Sequence, residues 1–520
     1  MPVYGTWYLN TGFLKHHNTS ISEKISRLNI FEFGCLLFLL FLIFVRFIYI
    51  FSYDTDLEGV EFALVHFVQM IVDKGHLYGN AAKFPYLLVV HAPLYYYVMA
   101  AIMKIGAIDV VQDVHTMYII GRTISFLLLF VNFYVLNRII SLLYPEFRYR
   151  IFTLVIFMLF LPGHFYACRP DSFKLTFFIL FLYQSLLFLK TEKRSHHMLG
   201  VLFFILSILT KQDVLLYGFL LYGIFFIKER KIIYLLTPVF ILTFILACIY
   251  IYYLISGINL IKELFFYNLQ YDSDMSINFL LITCHYVRIF PLFFVSLINI
   301  KSKSKLTISL FALSISYIVV STLMMLRTGS NINYTYESVI LLILNIVLLI
   351  KERNIQLSKR KLIIGNLSVC TYIILLFLFN HILYYKSYFL SKNELKYRNE
   401  FVSSQHSAEK IKKIIGRQVL FIPDMKFYIF YANSTMIYGA DWHYDRYCEI
   451  ALNIKIKPKF IHNPIVAEYD KQFTNGVVQY ILVENNYKSK YHVAAYYPYY
   501  DFFQQVDNFL LYKYKPSEKP

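Results

Sequence analysis

The chain has 520 residues, 58% of them hydrophobic, 19% aromatic and only 16% charged, with a formal net charge of +18. A soluble domain carries about 45–50% apolar and about 25% charged residues, so repeated long apolar runs in this composition describe a polytopic α-helical membrane protein. Lys and Arg gather in short loops between those runs, which is a topology signal rather than a phosphate-binding patch and argues against a nucleic-acid partner.

Residues 1–30 are polar and basic, with Lys15, Lys24 and Arg27, and are expected on the cytoplasmic side. The first span follows at 31–52, with Arg46 near its far end and no small-residue cleavage site after it, so it reads as a retained span. Further apolar runs cover 117–143, 151–167, 173–190, 198–210, 213–227, 232–254, 277–299, 306–326, 337–350 and 362–384. A spanning helix takes about 20 residues, and 31–385 reads as one membrane module. The run 93–105 is too short to cross alone and fits a juxtamembrane or re-entrant helix. Six cysteines (Cys35, Cys168, Cys248, Cys284, Cys370 and Cys448) show neither a disulfide framework nor zinc spacing.

The basic loops set the parity. Arg148/Arg150, Lys190/Lys193/Arg194, Lys228/Arg230/Lys231, Lys301/Lys303/Lys305 and 351–361 should all face the cytoplasm. That gives about eleven spans, with the N-terminus inside and the tail outside. Two extra crossings within 53–116, the first outer loop and its juxtamembrane helices, would keep the parity and give thirteen. Residues 386–520 are polar and charged. A helix over 392–415 and strand-like runs at 418–422, 477–483 and 509–514 predict a small α/β domain outside the membrane.

This topology sorts the remaining polar stretches onto the outer face. After the first span comes YDTDLEGVEF, with Asp54, Asp56, Glu58 and Glu61. Carboxylates at the lip of a bilayer are costly unless they face water, a metal or a cation. One is a candidate general base, and others would orient it or hold a divalent cation such as Mg or Mn. CRPDS at 168–172 supplies Arg169, a bidentate phosphate ligand by chemistry, and Asp171. Lys211 and Gln212 in the outer turn TKQD and Arg122 in the first turns of a span are further candidates for the donor phosphate and sugar, with snorkelling to the interface as the alternative for Lys211 and Arg122. The loop RTGSNINYTYE carries Arg327, Asn331, Asn333, Tyr334 and Glu337, more polarity than a connection between spans requires, and these are candidates to bind a lipid-linked phosphate and a sugar. His91, just ahead of Ala92-Pro93, is the one histidine of interest.

The order of these features resembles the bacterial GT-C membrane glycosyltransferases. They are the acidic loop after span one, GHLY, the PLYYY helix start at 93–97, Arg122, RPD, TKQ and GSNINYTYE. The nearest branch is the dolichyl-phosphate-mannose-protein mannosyltransferase-like group (glycosyltransferase family 39), which includes the aminoarabinose transferases of lipid A. The resemblance covers roughly residues 30–385. It implies transfer of a hexosyl or pentosyl group from a polyprenyl-phosphate donor to a glycan, lipid or protein acceptor on the outer face. It also implies Asp54 or Asp56 as base, Asp171 as second acid, and Arg169, Lys211 or Arg327 on the donor phosphate. The family commonly has adjacent Asp-Glu in the first loop, where this chain has DTDLEGVE. A flippase of lipid-linked sugars would need polar groups near the bilayer midplane, and here they concentrate at one face. A polysaccharide polymerase or ligase would share the chemistry and differ in its product.

Overall fold

The computed structural model describes residues 30–55, 57, 61–78, 89, 91–147, 149–161, 167–261, 264, 275–302, 304–325, 332–353, 359–383, 394–416, 418–421, 430, 436–437, 471–485 and 499–515. The helices in chain order are α1 (Ile30–Tyr49), α2 (Glu61–Lys74), α3 (Leu94–Ile105), α4 (Val114–Leu143), α5 (Arg150–Phe160), α6 (Pro170–Thr191), α7 (Arg194–Thr210), α8 (Val214–Glu229), α9 (Ile233–Ser256), α10 (Met275–Leu297), α11 (Lys305–Met325), α12 (Tyr336–Glu352), α13 (Lys359–Leu383) and α14 (Glu394–Ile415). Among the described residues, five of them, α1, α4, α6, α9 and α11, are long and apolar enough to cross a membrane.

Side-chain chemistry explains which faces meet. α9 turns Val239, Phe240, Tyr250 and Leu254 outward, each more than 60% exposed, the pattern of a helix facing lipid rather than protein. α6 is largely buried and packs against α7 and α4, while α11 packs against α12 and α8. Polar groups pin these contacts. Asn132 donates to Thr176 Oγ1 at 2.7 Å, Asn345 reaches Ser314 Oγ at 3.3 Å, and the Tyr317 hydroxyl donates to the Tyr217 carbonyl at 2.6 Å. In an apolar solvent such bonds, with close packing, take the place of a hydrophobic drive between helices.

The span expected at 151–167 differs: α5 stops at Phe160 after 11 residues. At 1.5 Å per residue that is about 16 Å, half the thickness of a bilayer core. Its end is held by two arginines from other helices. Arg46 donates to the carbonyls of Met158 and Leu161, and Arg288 donates to Leu159 at 3.0 Å with its guanidinium over the Phe160 ring. A cation at a helix C-terminus complements the end carbonyls and the dipole, so these residues stabilise the termination.

Beyond α13, α14 joins a five-stranded mixed sheet of order β2-β1-β3-β5-β4. The strands are β1 (Leu420–Phe421), β2 (Met436–Ile437), β3 (Tyr480–Glu484), β4 (Tyr500–Val506) and β5 (Phe509–Tyr514). β1 runs parallel to β2 and β3, and β3, β5 and β4 are antiparallel. Phe401, Ala408 and Ile411 of α14 share one apolar core with α2, α3 and the start of α4. Glu394 ties this unit to the end of α1, accepting from Ser52 Oγ at 2.7 Å and from the Tyr53 amide at 2.5 Å.

Candidate active site

At one end of the bundle two charge clusters are built side by side. The first holds the lip. Arg122, one turn into α4 beyond Tyr118, is fully buried and makes four bonds. Its Nε and Nη2 donate to the two Glu61 carboxylate oxygens at 2.8 and 2.7 Å, Nη1 donates to the Ser52 carbonyl at 2.6 Å, and Nη2 also reaches the Asp54 carbonyl at 2.5 Å. Glu61 in turn accepts from the Cys168 amide at 2.6 Å, one residue ahead of Arg169. A single carboxylate therefore ties the lip, α4 and the RPD turn together. Gly121 makes the approach possible, because a Cβ there would stand 2.5 Å from the Cys168 sulfur. The donors of Arg122 are engaged within the protein, which gives it a loop-holding part.

The second cluster is the RPD turn with its neighbours. Arg169 is extended, Pro170 opens α6 at a position where its missing N–H costs nothing, and Asp171 falls in the first turn where the dipole favours an acid. Asp171 pairs with Lys211 Nζ at 2.9 Å and Arg169 Nε at 3.3 Å. One turn on, Lys174 pairs with Glu337 at 2.9 Å and Asp213 at 3.4 Å. The Tyr334 ring lies beneath both lysines, 4.7 Å from Lys211 Nζ and 5.8 Å from Lys174 Nζ. Tyr334 is held by its own carbonyl, which accepts from the Tyr217 hydroxyl at 2.9 Å and from Ser321 Oγ at 2.6 Å.

Three cations thus face three carboxylates in a site nearly closed to water. Isolated buried charges would be prohibitive, and here each has a partner of opposite sign. The side chains of Arg169 and Lys211 keep 7% and 4% exposure while that of Lys174 has none. Asp54 is 6% exposed, with its amide bonded to Ser52 Oγ at 3.1 Å.

Five of the sequence candidates, Arg169, Asp171, Lys211, Tyr334 and Glu337, meet in this cluster. Asp54 and Glu61 stand in the adjoining one. Gln212 points elsewhere, donating to the Leu264 carbonyl at 3.0 Å. His91 is half-buried and its carbonyl accepts from the Tyr78 hydroxyl at 2.9 Å. Asn333 belongs to a short 3-10 turn, Ile332–Thr335. Asp56, Glu58, Arg327 and Asn331 lie outside the described residues. Lys174 is the residue that sequence reasoning missed, and Asp213 was passed over within TKQD. The available signal was the spacing of Lys174 three residues after Asp171, which places both on one helix face.

Among the described residues no group of three or more His, Cys, Asp or Glu is placed to hold a metal ion. Asp171 is paired with Lys211 and Arg169, and Glu61 with Arg122.

No protein-family model matches the chain, and no curated protein matches it in sequence. Solved structures do. The crystal structure of ArnT from Cupriavidus metallidurans bound to undecaprenyl phosphate superposes with a TM-score of 0.56 at 12% identity, over 93% of this chain and 98% of that one. The apo form gives 0.55 at 12%, over 92% and 97%. The chain therefore shares its overall fold with those structures. The likeness to ArnT is one of fold, extending over nearly the whole of both chains.

Proposed function

We propose that this chain is an integral membrane glycosyltransferase that moves a sugar from a polyprenyl-phosphate donor to an acceptor on the outer face. The observation that carries the reading is the cluster of cations, Arg169 and Lys211 with Lys174, beside the Asp54 lip at one end of an ArnT-like fold. The ligand of that neighbour, undecaprenyl phosphate, supports a polyprenyl-phosphate donor here.

In this account the donor phosphate lies against Arg169 and Lys211, competing with Asp171 for their charge. The acceptor oxygen attacks the anomeric carbon as the bond from that carbon to the phosphate oxygen breaks, and the lipid phosphate departs with the bonding pair. The acceptor proton passes to a first-loop carboxylate, Asp54 or Asp56, acting as general base. Charge grows on the leaving phosphate, so cations fixed there beforehand stabilise the transition state most. One displacement inverts the anomeric configuration, and no protein nucleophile is needed. Lys174, Glu337 and Asp213 hold the turn that carries Lys211 against α6. The lip faces outward with the C-terminal sheet, and the basic loops face the cytoplasm.

Binding of undecaprenyl phosphate to the purified chain in detergent tests the reading. Saturable binding that Lys211→Gln weakens at least tenfold is expected. Binding no tighter than that of a neutral polyprenol, or untouched by the substitution, would contradict it.

A further inference from the structure

The opposite end of the bundle holds a cavity that the proposed reaction does not use. The last turns of α4, α6, α8 and α12 and the first turn of α11 converge there around about 270 Å³ of space. Its cationic lining is Lys190, Lys228 and Lys351, and its apolar lining includes Leu142, Leu189 and Leu306. Because α6, α8 and α12 each begin at the charge clusters, their other ends lie a helix length away, at the level of the other leaflet's headgroups.

Helix C-termini attract lysines, and that alone would place one ammonium at each end. Two details go further. Lys351 gives its ammonium to the neutral Leu143 carbonyl at 2.7 Å, and Lys190 makes no ion pair among the described residues. Three acids at these helix ends are engaged by other groups, Glu229 by Lys228, Glu192 by Lys231 at 2.7 Å, and Glu352 by Ser302 and Thr307, and Glu146, three residues beyond Leu143, is exposed. Two ammoniums thus line an apolar-walled cavity without a carboxylate of their own.

We infer that this cavity binds the headgroup of an anionic phospholipid, with its phosphate on Lys190 and Lys351 and its first acyl methylenes along Leu142, Leu189 and Leu306. The charge selects an anion, and the leucines select one attached to a chain. The site is independent of the transfer reaction proposed for the other end.

The test is lipid retention by the full chain, delipidated in detergent, measured by native mass spectrometry and by thermal unfolding. Added phosphatidylglycerol should remain bound and raise the unfolding temperature by several degrees, while phosphatidylcholine and inorganic phosphate should not. Lys190→Gln with Lys351→Gln should weaken retention at least tenfold. Leu306→Trp, which keeps every charge and fills the cavity, should do the same, and Lys301→Gln outside the lining should not. Equal effects of phosphatidylcholine, an equal effect of phosphate alone, or undiminished retention in both the charge and the filling variants would each overturn the assignment.

Discussion

Glu61 grips Arg122 with both carboxylate oxygens, at 2.8 and 2.7 Å, and neither side chain has any exposure. The same carboxylate receives the Cys168 amide, so one buried pair sets the spacing between the lip and the turn that carries Arg169 and Asp171. Removing one member leaves the other charged and unpaired, which costs about 3–5 kcal/mol where a buried pair is broken. Glu61→Gln should therefore lower thermal stability strongly. Glu61→Leu combined with Arg122→Met should recover a large part of that loss, and thermal unfolding of the three proteins in one detergent checks both.

Gly121 should tolerate no side chain. Its Cβ position is 2.5 Å from the Cys168 sulfur and 3.1 Å from the Met99 methyl, both in a packed interior. Gly121→Ala must push α4 from the RPD turn, and overpacking of this kind costs about 1–3 kcal/mol. Donor binding should weaken more in this variant than in Gly223→Ala, where nothing lies within 4 Å. Equal behaviour of the two would remove the close approach from the account.

Tyr334 should matter through its ring. It stands 4.7 Å from Lys211 Nζ, and a desolvated cation–π contact is worth about 2 kcal/mol. Tyr334→Phe keeps the ring, while Tyr334→Leu loses the contacts to both lysines. The leucine variant should bind undecaprenyl phosphate about tenfold or more weakly than the phenylalanine variant, by titration of the purified proteins.

The helix α2 should loosen in acid. Burial lowers the His66 imidazole from its ordinary 6.5 to about 4. Above pH 6.5 the ring is neutral in both the packed and the opened segment and has no effect. As pH falls from 6.5 toward 4, the opened segment takes up a proton that the packed one refuses, so stability drops through that window by up to about 3 kcal/mol. Hydrogen exchange of α2 at pH 7 and pH 5 should show the loss, and His66→Leu should flatten it.

The helical ladder of this chain was legible because apolar runs of the right length are its strongest signal. The run at 362–384 became Lys359–Leu383, the run at 337–350 became Tyr336–Glu352, and the tail helix expected over 392–415 is Glu394–Ile415. The run at 151–167 misled because Arg46 and Arg288, distant in sequence, end the helix at Phe160. In the sheet, β3 and β5 announced themselves. β2 has two residues, and β4 carries a register shift between Phe502 and Gln504 that breaks its alternation. The convergence of RPD, TKQD and NYTYE followed from placing them on one face. Lys174 was hidden because one lysine in an apolar span resembles a boundary residue, and its meaning lies in Asp213 and Glu337, which only the fold brings to it.

The central claim is that Asp54 or Asp56 removes the acceptor proton while Arg169 and Lys211 hold the departing phosphate. The most direct measurement is single-turnover release of labelled sugar from a synthetic polyprenyl-phosphate donor in liposomes, for wild type, Asp54→Asn and Asp56→Asn, with donor binding measured beside it. The account predicts that one substitution slows release by at least a hundredfold while donor affinity changes less than threefold. Donor crossing the bilayer unchanged, or release unaffected by either substitution, would contradict it.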